Sequence, residues 1–376
     1  MRACFILAVL VIFPELLISS TSLYLNLVTT LDISGMDCQK NRTTLHQHAK
    51  SKTMTKKDQL HHLYLFLPCY FILGMLLIVS CGKEPPPSDR QSGSIVAWGR
   101  DDDGQVSNVP PGDDFVMVSA GNRHNVALRS DGSIVSWGRD SGGQVSKTPA
   151  GKDFQSVSAG ADYSLALRKD GSIKAWGWDH LEQVQAVPSG NNFIAISANM
   201  HHALALREDG SIAVWGRQYG DDMKMSNVED TPRDRNFMAI SAGLMHSLGL
   251  RNNGSIRAWG DDQLGSVKNT PTGSGFVAVR AGARHNLALG EDGTITAWGW
   301  DLQNEVSNTP TGSGFVDIAV GYSHSLGLRE DRTIIAWGWE RNNYGQISDT
   351  PTQNGFISIS ANDFHNVAIH SADNRP

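Results

Sequence analysis

The stretch GARHNLALGEDGTITAWG, residues 282–299, holds two short apolar runs on either side of Glu291, Asp292 and Gly293. Asp-Gly between such runs makes a tight hairpin, because the turn demands a positive φ that glycine accepts without steric cost. The stretch ends in Trp298-Gly299, and that pair recurs. It stands at Trp98, Trp137, Trp176, Trp215, Trp259, Trp298 and Trp337, with spacings of 39, 39, 39, 44, 39 and 39 residues. So regular a period marks a repeat architecture in which each unit is one small supersecondary element.

Working outward, the run before each Trp-Gly alternates β-branched and small residues, as in 93–97, with variants beginning at Gly132, Gly171, Gly210, Gly254, Gly293 and Arg332. Period-two alternation reads as strand. A second strand precedes the hairpin, for example 125–128. A third lies further upstream, 115–119, and ends in Ala120-Gly121. The position of Gly121 holds Gly160, Asn199, Gly243, Gly282, Gly321 and Asn362 elsewhere, the two residue types that best tolerate left-handed backbone, so that conformation is expected there. A shorter fourth strand is expected after Trp-Gly, at 105–107, 144–146, 305–307 and 346–348. Four short antiparallel strands make one blade, so the expected fold is all-β, a seven-bladed β-propeller. A sheet this small buries its faces only by stacking on neighbours. The chain supplies a third strand first (94–98) and two strands last (356–369), which together complete the seventh blade and remove the free sheet edges.

The pattern Gly-x-x-His-x-Leu-Ala-Leu-x-x-Asp-Gly-x-Ile-x-x-Trp-Gly in 282–299 resembles the regulator-of-chromosome-condensation repeat, and the likeness covers about three quarters of the chain. The compact units, with Gly104-Gln105 and Val109-Pro110 after Trp-Gly, are similar to the short bacterial-type repeats of the propeller-type β-lactamase inhibitory proteins. That resemblance implies a protein-binding face. The eukaryotic branch implies nucleotide exchange on a small GTPase through a protruding β-wedge. Here the sole insertion is about five residues near Asp221 to Arg235, so exchange is the least favoured reading. A fold shared by many functions does not carry function with it.

Residues 82–376 carry 25 Lys and Arg against 34 Asp and Glu. An acidic body argues against nucleic acid, whose phosphates need clustered cations. Cys4, Cys38, Cys69 and Cys81 all precede the repeats, so the repeats can form no disulfide and no thiolate metal site. Two apolar stretches lie ahead of them, 4–19 and 63–79, both short for a membrane span. The second follows Met54-Thr55-Lys56-Lys57 and leads to Ile78-Val79-Ser80-Cys81, which resembles a bacterial lipoprotein signal. The expected layout is an N-terminal extension outside the mature protein (1–53), a signal peptide or anchor (54–80), a lipidated Cys81 with a Pro-rich tether (81–91), the propeller (92–370) and a tail (371–376). The body is then exported and bound to an envelope membrane.

In an up-and-down blade the loops after the first and third strands share one end, and the Asp-Gly hairpin takes the other. Variation among equivalent positions of one chain shows where the fold does not dictate the residue. After the first strand such positions include Arg123, Asp162, His201, Met245, Arg284, Tyr322 and Phe364; after the third they include Trp178, Trp300 and Trp339. Aromatic and arginine side chains of this kind are what interface hot spots use, so these ten are the candidate partner-binding residues. His124, His202, His246, His285, His324 and His365 occupy equivalent places, with Tyr163 in the remaining unit. One per blade spreads them around a ring instead of gathering them into a coordination cluster, and Tyr163 preserves hydrogen bonding alone, so they read as structural. Asp101, Asp102, Asp103, Asp261 and Asp262 lack calcium-loop spacing and read as loop charge. No cofactor and no catalytic group is expected, since the reactive residues follow the repeat symmetry. The function expected is recognition of a protein partner. The alternatives are a glycan-binding propeller, an enzyme with a central-funnel site, and an exchange factor.

Overall fold

A computed structural model of the protein describes residues 86–216, 230–262, 264–342 and 344–371. Strand β1 is Ser94–Gly99. The first complete blade is β2 (Phe115–Ala120), β3 (His124–Arg129) and β4 (Ile134–Gly138), hydrogen-bonded antiparallel in that order. The same triplet recurs at 154–177, 193–216, 237–260, 276–299 and 315–338. The last strands, β20 (Phe356–Asn362) and β21 (His365–His370), pair with β1 in the order β1, β21, β20, so the seventh blade is shared between the two ends as expected.

Among the described residues each blade has three ladder strands, not four. The segment expected to be the fourth is a single turn, in which Asn108 N–H donates to Gly104 O at 3.1 Å, and Lys147 to Gly143 and Asp349 to Gly345 likewise. An acid side chain supplies the reason. Asp101 Oδ1 accepts from the N–H groups of Val106 (2.8 Å) and Ser107 (3.1 Å), the donors a fourth strand would have offered to the sheet. Asp140, Asp179, Asp262 and Asp301 do the same.

The apolar clusters sit between blades. One joins Val126, Leu128 and Ile134 of the first complete blade to Phe154, Val157 and Trp176 of the next. Another joins Leu326 and Leu328 to Phe356, Ile359 and Trp98 across the closing seam. No three-stranded sheet could exclude water on both faces alone, which makes the ring the folding unit. The repeated Trp also ties seams by hydrogen bond: Trp137 Nε1 donates to Gln105 O (3.0 Å), Trp176 to Gln144 O (2.9 Å) and Trp98 to Gln346 O (3.2 Å).

Gly132 takes the positive φ (87°) expected of the Asp-Gly hairpin, with Ser133 N–H donating to Asp131 Oδ1 at 2.9 Å. Gly121, by contrast, is not left-handed. A Cβ there would lie 2.6 Å from both Gly160 O and His124 Cε1, so the constraint is space beside the next blade. Asn199 and Asn362 meet it differently, donating from Nδ2 to Ala242 O (2.8 Å) and Ala120 O (3.2 Å).

Part of the expected tether is docked. Pro87 is buried, Arg90 Nη2 donates to Gln155 O (2.9 Å) and Gln91 Nε2 to Ser371 Oγ (2.9 Å). Those bonds hold 87–91 against the propeller. The extension, the apolar stretch 63–79, Cys81, the 221–229 part of the insertion and the tail beyond Ser371 lie outside the described residues.

Candidate functional site

The loop end is built by one recurring bond. The N–H of the residue after Trp-Gly donates to the carbonyl just before the second strand: Arg139 to Arg123 (2.8 Å), Trp178 to Asp162 (2.8 Å), Asp261 to Met245 (2.9 Å), Trp300 to Arg284 (2.9 Å), Trp339 to Ser323 (2.9 Å) and Arg100 to Phe364 (2.9 Å). The loops after the first and third strands therefore meet at one end, and their side chains project together.

Beneath this end runs a ring of polar contacts. His124 Nε2 meets Ser164 Oγ (2.8 Å), His202 meets Ser247 (2.8 Å), and His285 meets Ser325 (2.7 Å). His246, His324 and His365 reach Asn286, Asn366 and Asn125 Oδ1 at 2.6, 2.7 and 2.7 Å. Tyr163 completes the circuit by donating from its hydroxyl to His202 O at 2.9 Å. Each contact crosses to the next blade, so these residues are seam pins. Burial keeps the imidazoles neutral, pushing His124 and His324 down to about 4 and His202, His285 and His365 to about 3.

Over the ring, the candidate residues fall into two groups. Trp178 is half exposed, stacks on His180 at 5.3 Å, and lines a cleft of about 150 Å³ with Asp162, Met200 and His201. Asp162 is steadied there by Gln144 Nε2 at 3.1 Å. The second group is an arc crossing three blades. Arg284 lies over the rings of Trp300 (5.8 Å) and Tyr322 (5.0 Å), Tyr322 packs on Phe364 (5.9 Å), Phe364 on Tyr344 (5.3 Å), and Arg100 covers Tyr344 at 5.2 Å. Arg123, paired with Asp103 at 3.3 Å, continues it toward the next blade.

Not every candidate behaves as an exposed aromatic. Trp300 and Trp339 are only half-buried, and the Trp300 Nε1 atom is fully covered. Met245 is half-buried and is not among the residues that line the Trp178 cleft. Two residues outside the ten belong to the face: Tyr344, 49% exposed, and Leu302, 77% exposed. Leu302 directly follows its variable pair, and Tyr344, four residues past its own pair, takes the place that Asp103, Gly142, Leu181, Leu264 and Gln303 hold in other blades. The same within-chain variation would have found them.

Asp363 is the electrostatic outlier. It holds φ 34° in the loop beside Phe364, and burial pushes its carboxyl up to about 6 against the pull of Arg100 and Arg123. Among the described residues no group of three His, Cys, Asp or Glu side chains is placed to hold a metal ion.

These features define a closed seven-bladed propeller with a variable, aromatic-rich loop face. Four segments, 115–144, 154–183, 239–266 and 315–346, match the regulator of chromosome condensation (RCC1) repeat, in agreement with a propeller built of such repeats. Prp20p from Saccharomyces cerevisiae is similar in fold, at 17% identity and TM-score 0.62 over 76% of this chain and 93% of that one. So are the ectodomain of the receptor kinase CR4 from Physcomitrella patens (22%, TM-score 0.57, 70% and 72%) and that of ACR4 from Arabidopsis thaliana (19%, TM-score 0.55, 75% and 94%). None of the curated protein sequences matches the chain.

Proposed function

We propose that the protein is an exported, membrane-anchored binding module that recognises a protein partner through its loop face. The observation that carries this is the arc from Trp300 to Arg100, in which aromatic rings and guanidinium groups from three blades join on positions the repeat leaves free. Rings held by neighbouring cations lose little freedom on binding and bury large area, the properties of interface anchors. Prp20p, of the same fold, has binding properties to Gsp1p and histones, which supports protein recognition as a use of this architecture. Export and lipidation at Cys81 rest on the signal-like segment 54–81; mass spectrometry of the native N-terminus tests them, and a native chain that starts before Met54 overturns both.

The test of the face is capture from the host's envelope with the wild-type chain against a Trp178, Trp300, Trp339 to Ala variant and a Tyr344, Phe364 to Ala variant, each checked for unchanged melting. A protein held by the wild type and lost from the variants supports the reading. Identical profiles move the site to the hairpin end or the central channel. Trp178 beside its cleft also suits a sugar ring, so capture that is lost after deglycosylation of the extract favours glycan recognition instead.

A further inference from the structure

Unlike several arginines around the ring, Arg284 has no acid partner among the described residues. Arg100 pairs with Asp102, Arg123 with Asp103, Arg129 with Asp114, Arg251 with Asp234 and Arg280 with Asp317. Among the described residues Arg284 makes one hydrogen bond, from Nη2 to the Tyr322 hydroxyl at 2.9 Å, and no ion pair. A guanidinium offers five N–H donors in a planar fork, so most of its capacity is unused. The fork is nonetheless fixed in place, with Trp300 and Tyr322 supplying ring faces within 6 Å of Cζ.

The surroundings are equally unfinished. Apart from histidine nitrogens, six buried side-chain polar atoms among the described residues lack a partner, and four of them, Trp300 Nε1, Gln303 Oε1, Glu305 Oε1 and Ser323 Oγ, belong to the two loops that meet Arg284. Glu305, the nearby acid, is fully buried, and burial pushes its carboxyl up toward the neutral form against the pull of Arg284. It therefore serves poorly as a counter-ion. Leu302, at 77% exposure in the same loop as Trp300, adds an apolar contact beside the cation.

From this geometry we infer that Arg284 is the receptor for an acidic side chain of the partner protein, a carboxylate gripped by the free edge of the guanidinium with an adjoining apolar residue on Leu302. The inference rests on the loop face being the recognition surface, and it adds the partner's chemistry. Arg and carboxylate match as a bidentate pair, and a ring-sandwiched guanidinium has already lost the freedom that binding would otherwise remove.

The test uses the full chain labelled with ¹⁵N at arginine and tryptophan side chains, titrated with the blocked tripeptides Ac-Leu-Glu-Leu-NH2 and Ac-Leu-Gln-Leu-NH2, with inorganic phosphate as a third probe. The expected result is a saturable shift of the Arg284 Nε–H and Trp300 Nε1–H resonances with the Glu peptide, about tenfold or more weaker with the Gln peptide, as one charge-assisted pair demands. The Trp300 response should vanish in Arg284→Gln and weaken in Arg284→Lys, which keeps the charge and loses the fork. Equal response to both peptides, a Glu response surviving in Arg284→Gln, or no response overturns the proposal, and a response to phosphate alone reassigns the site to an anion. Tyr322→Phe, which removes only the positioning hydroxyl, guards against a misfolded variant and should weaken the Glu response. Envelope capture separates the two failures: a partner lost from the aromatic variants but retained by Arg284→Gln leaves the face standing and removes the carboxylate.

Discussion

His365 Nε2 lies 2.7 Å from Asn125 Oδ1, joining the last strand of the chain to the second strand of the first complete blade. Asn125 Nδ2 donates to Gln105 O at 2.9 Å, which turns Oδ1 toward the imidazole and assigns the proton to Nε2. Closure is thus a specific contact as well as a burial of surface. Asn125→Ala strands the buried His365 donor and leaves Gln105 O with the Trp137 bond alone, and should cost about 1–3 kcal/mol in urea unfolding. Trp98→Ala, which empties the closing seam, should cost about 3–5 kcal/mol. Deleting 92–100 removes that strand altogether and should abolish the single cooperative transition. A ring that keeps its melting profile without β1 would show that closure is dispensable.

Acid should unfold the ring steeply. Burial lowers all six pinned histidines, five of them (His124, His202, His285, His324 and His365) to about 3–4 from an unfolded value near 6.5, so the contribution of those five is present above pH 6.5 and is lost as pH falls toward 3–4. Each of the five changes stability by about 1.4 kcal/mol per pH unit in that window, on the order of 7 per pH unit together. Urea midpoints at pH 7, 6 and 5 measure it, and a change fit for one or two protons would mean the pins open before the ring does.

Asp363 should act in the opposite sense. Its carboxyl is raised to about 6 from a reference near 3.8, so the stability it contributes is complete below pH 4 and is lost as pH rises through 6. Asp363→Asn, which tolerates the positive φ, should stabilise the protein at pH 7 by on the order of 1–2 kcal/mol after allowing for solvent screening, and should change nothing at pH 4. Calorimetry at the two pH values decides it.

Glu305 stands where Gln105, Gln144, Gln183 and Gln346 stand in other blades, with its Oε1 unpartnered. Glu305→Gln keeps the acceptor that Gln303 N–H uses at 3.0 Å and removes a buried acid. A gain of about 1 kcal/mol at neutral pH is expected, fading in acid where the carboxyl is already protonated. Partner binding should persist, which separates this buried position from Arg284.

The seven Trp-Gly pairs, the Asp-Gly turns and the split final blade were legible because each depends on chemistry local to one unit, repeated until chance is excluded. The histidine pins were legible in kind, since Tyr163 preserves one capability of imidazole, a hydrogen bond. Gly121 was read for the wrong reason: its side-chain-free space is set by His124 and Gly160 O, a blade away and invisible to a local pattern. The expected fourth strand failed because the Asp101 carboxylate competes for the same backbone donors, a choice between hydrogen-bond acceptors that composition does not rank. Periodicity located the variable loop face. Only the tertiary structure decided that Arg284 lies between Trp300 and Tyr322 and that Tyr344 meets Phe364, because those contacts join side chains of different repeats, and what varies from unit to unit leaves no period to read.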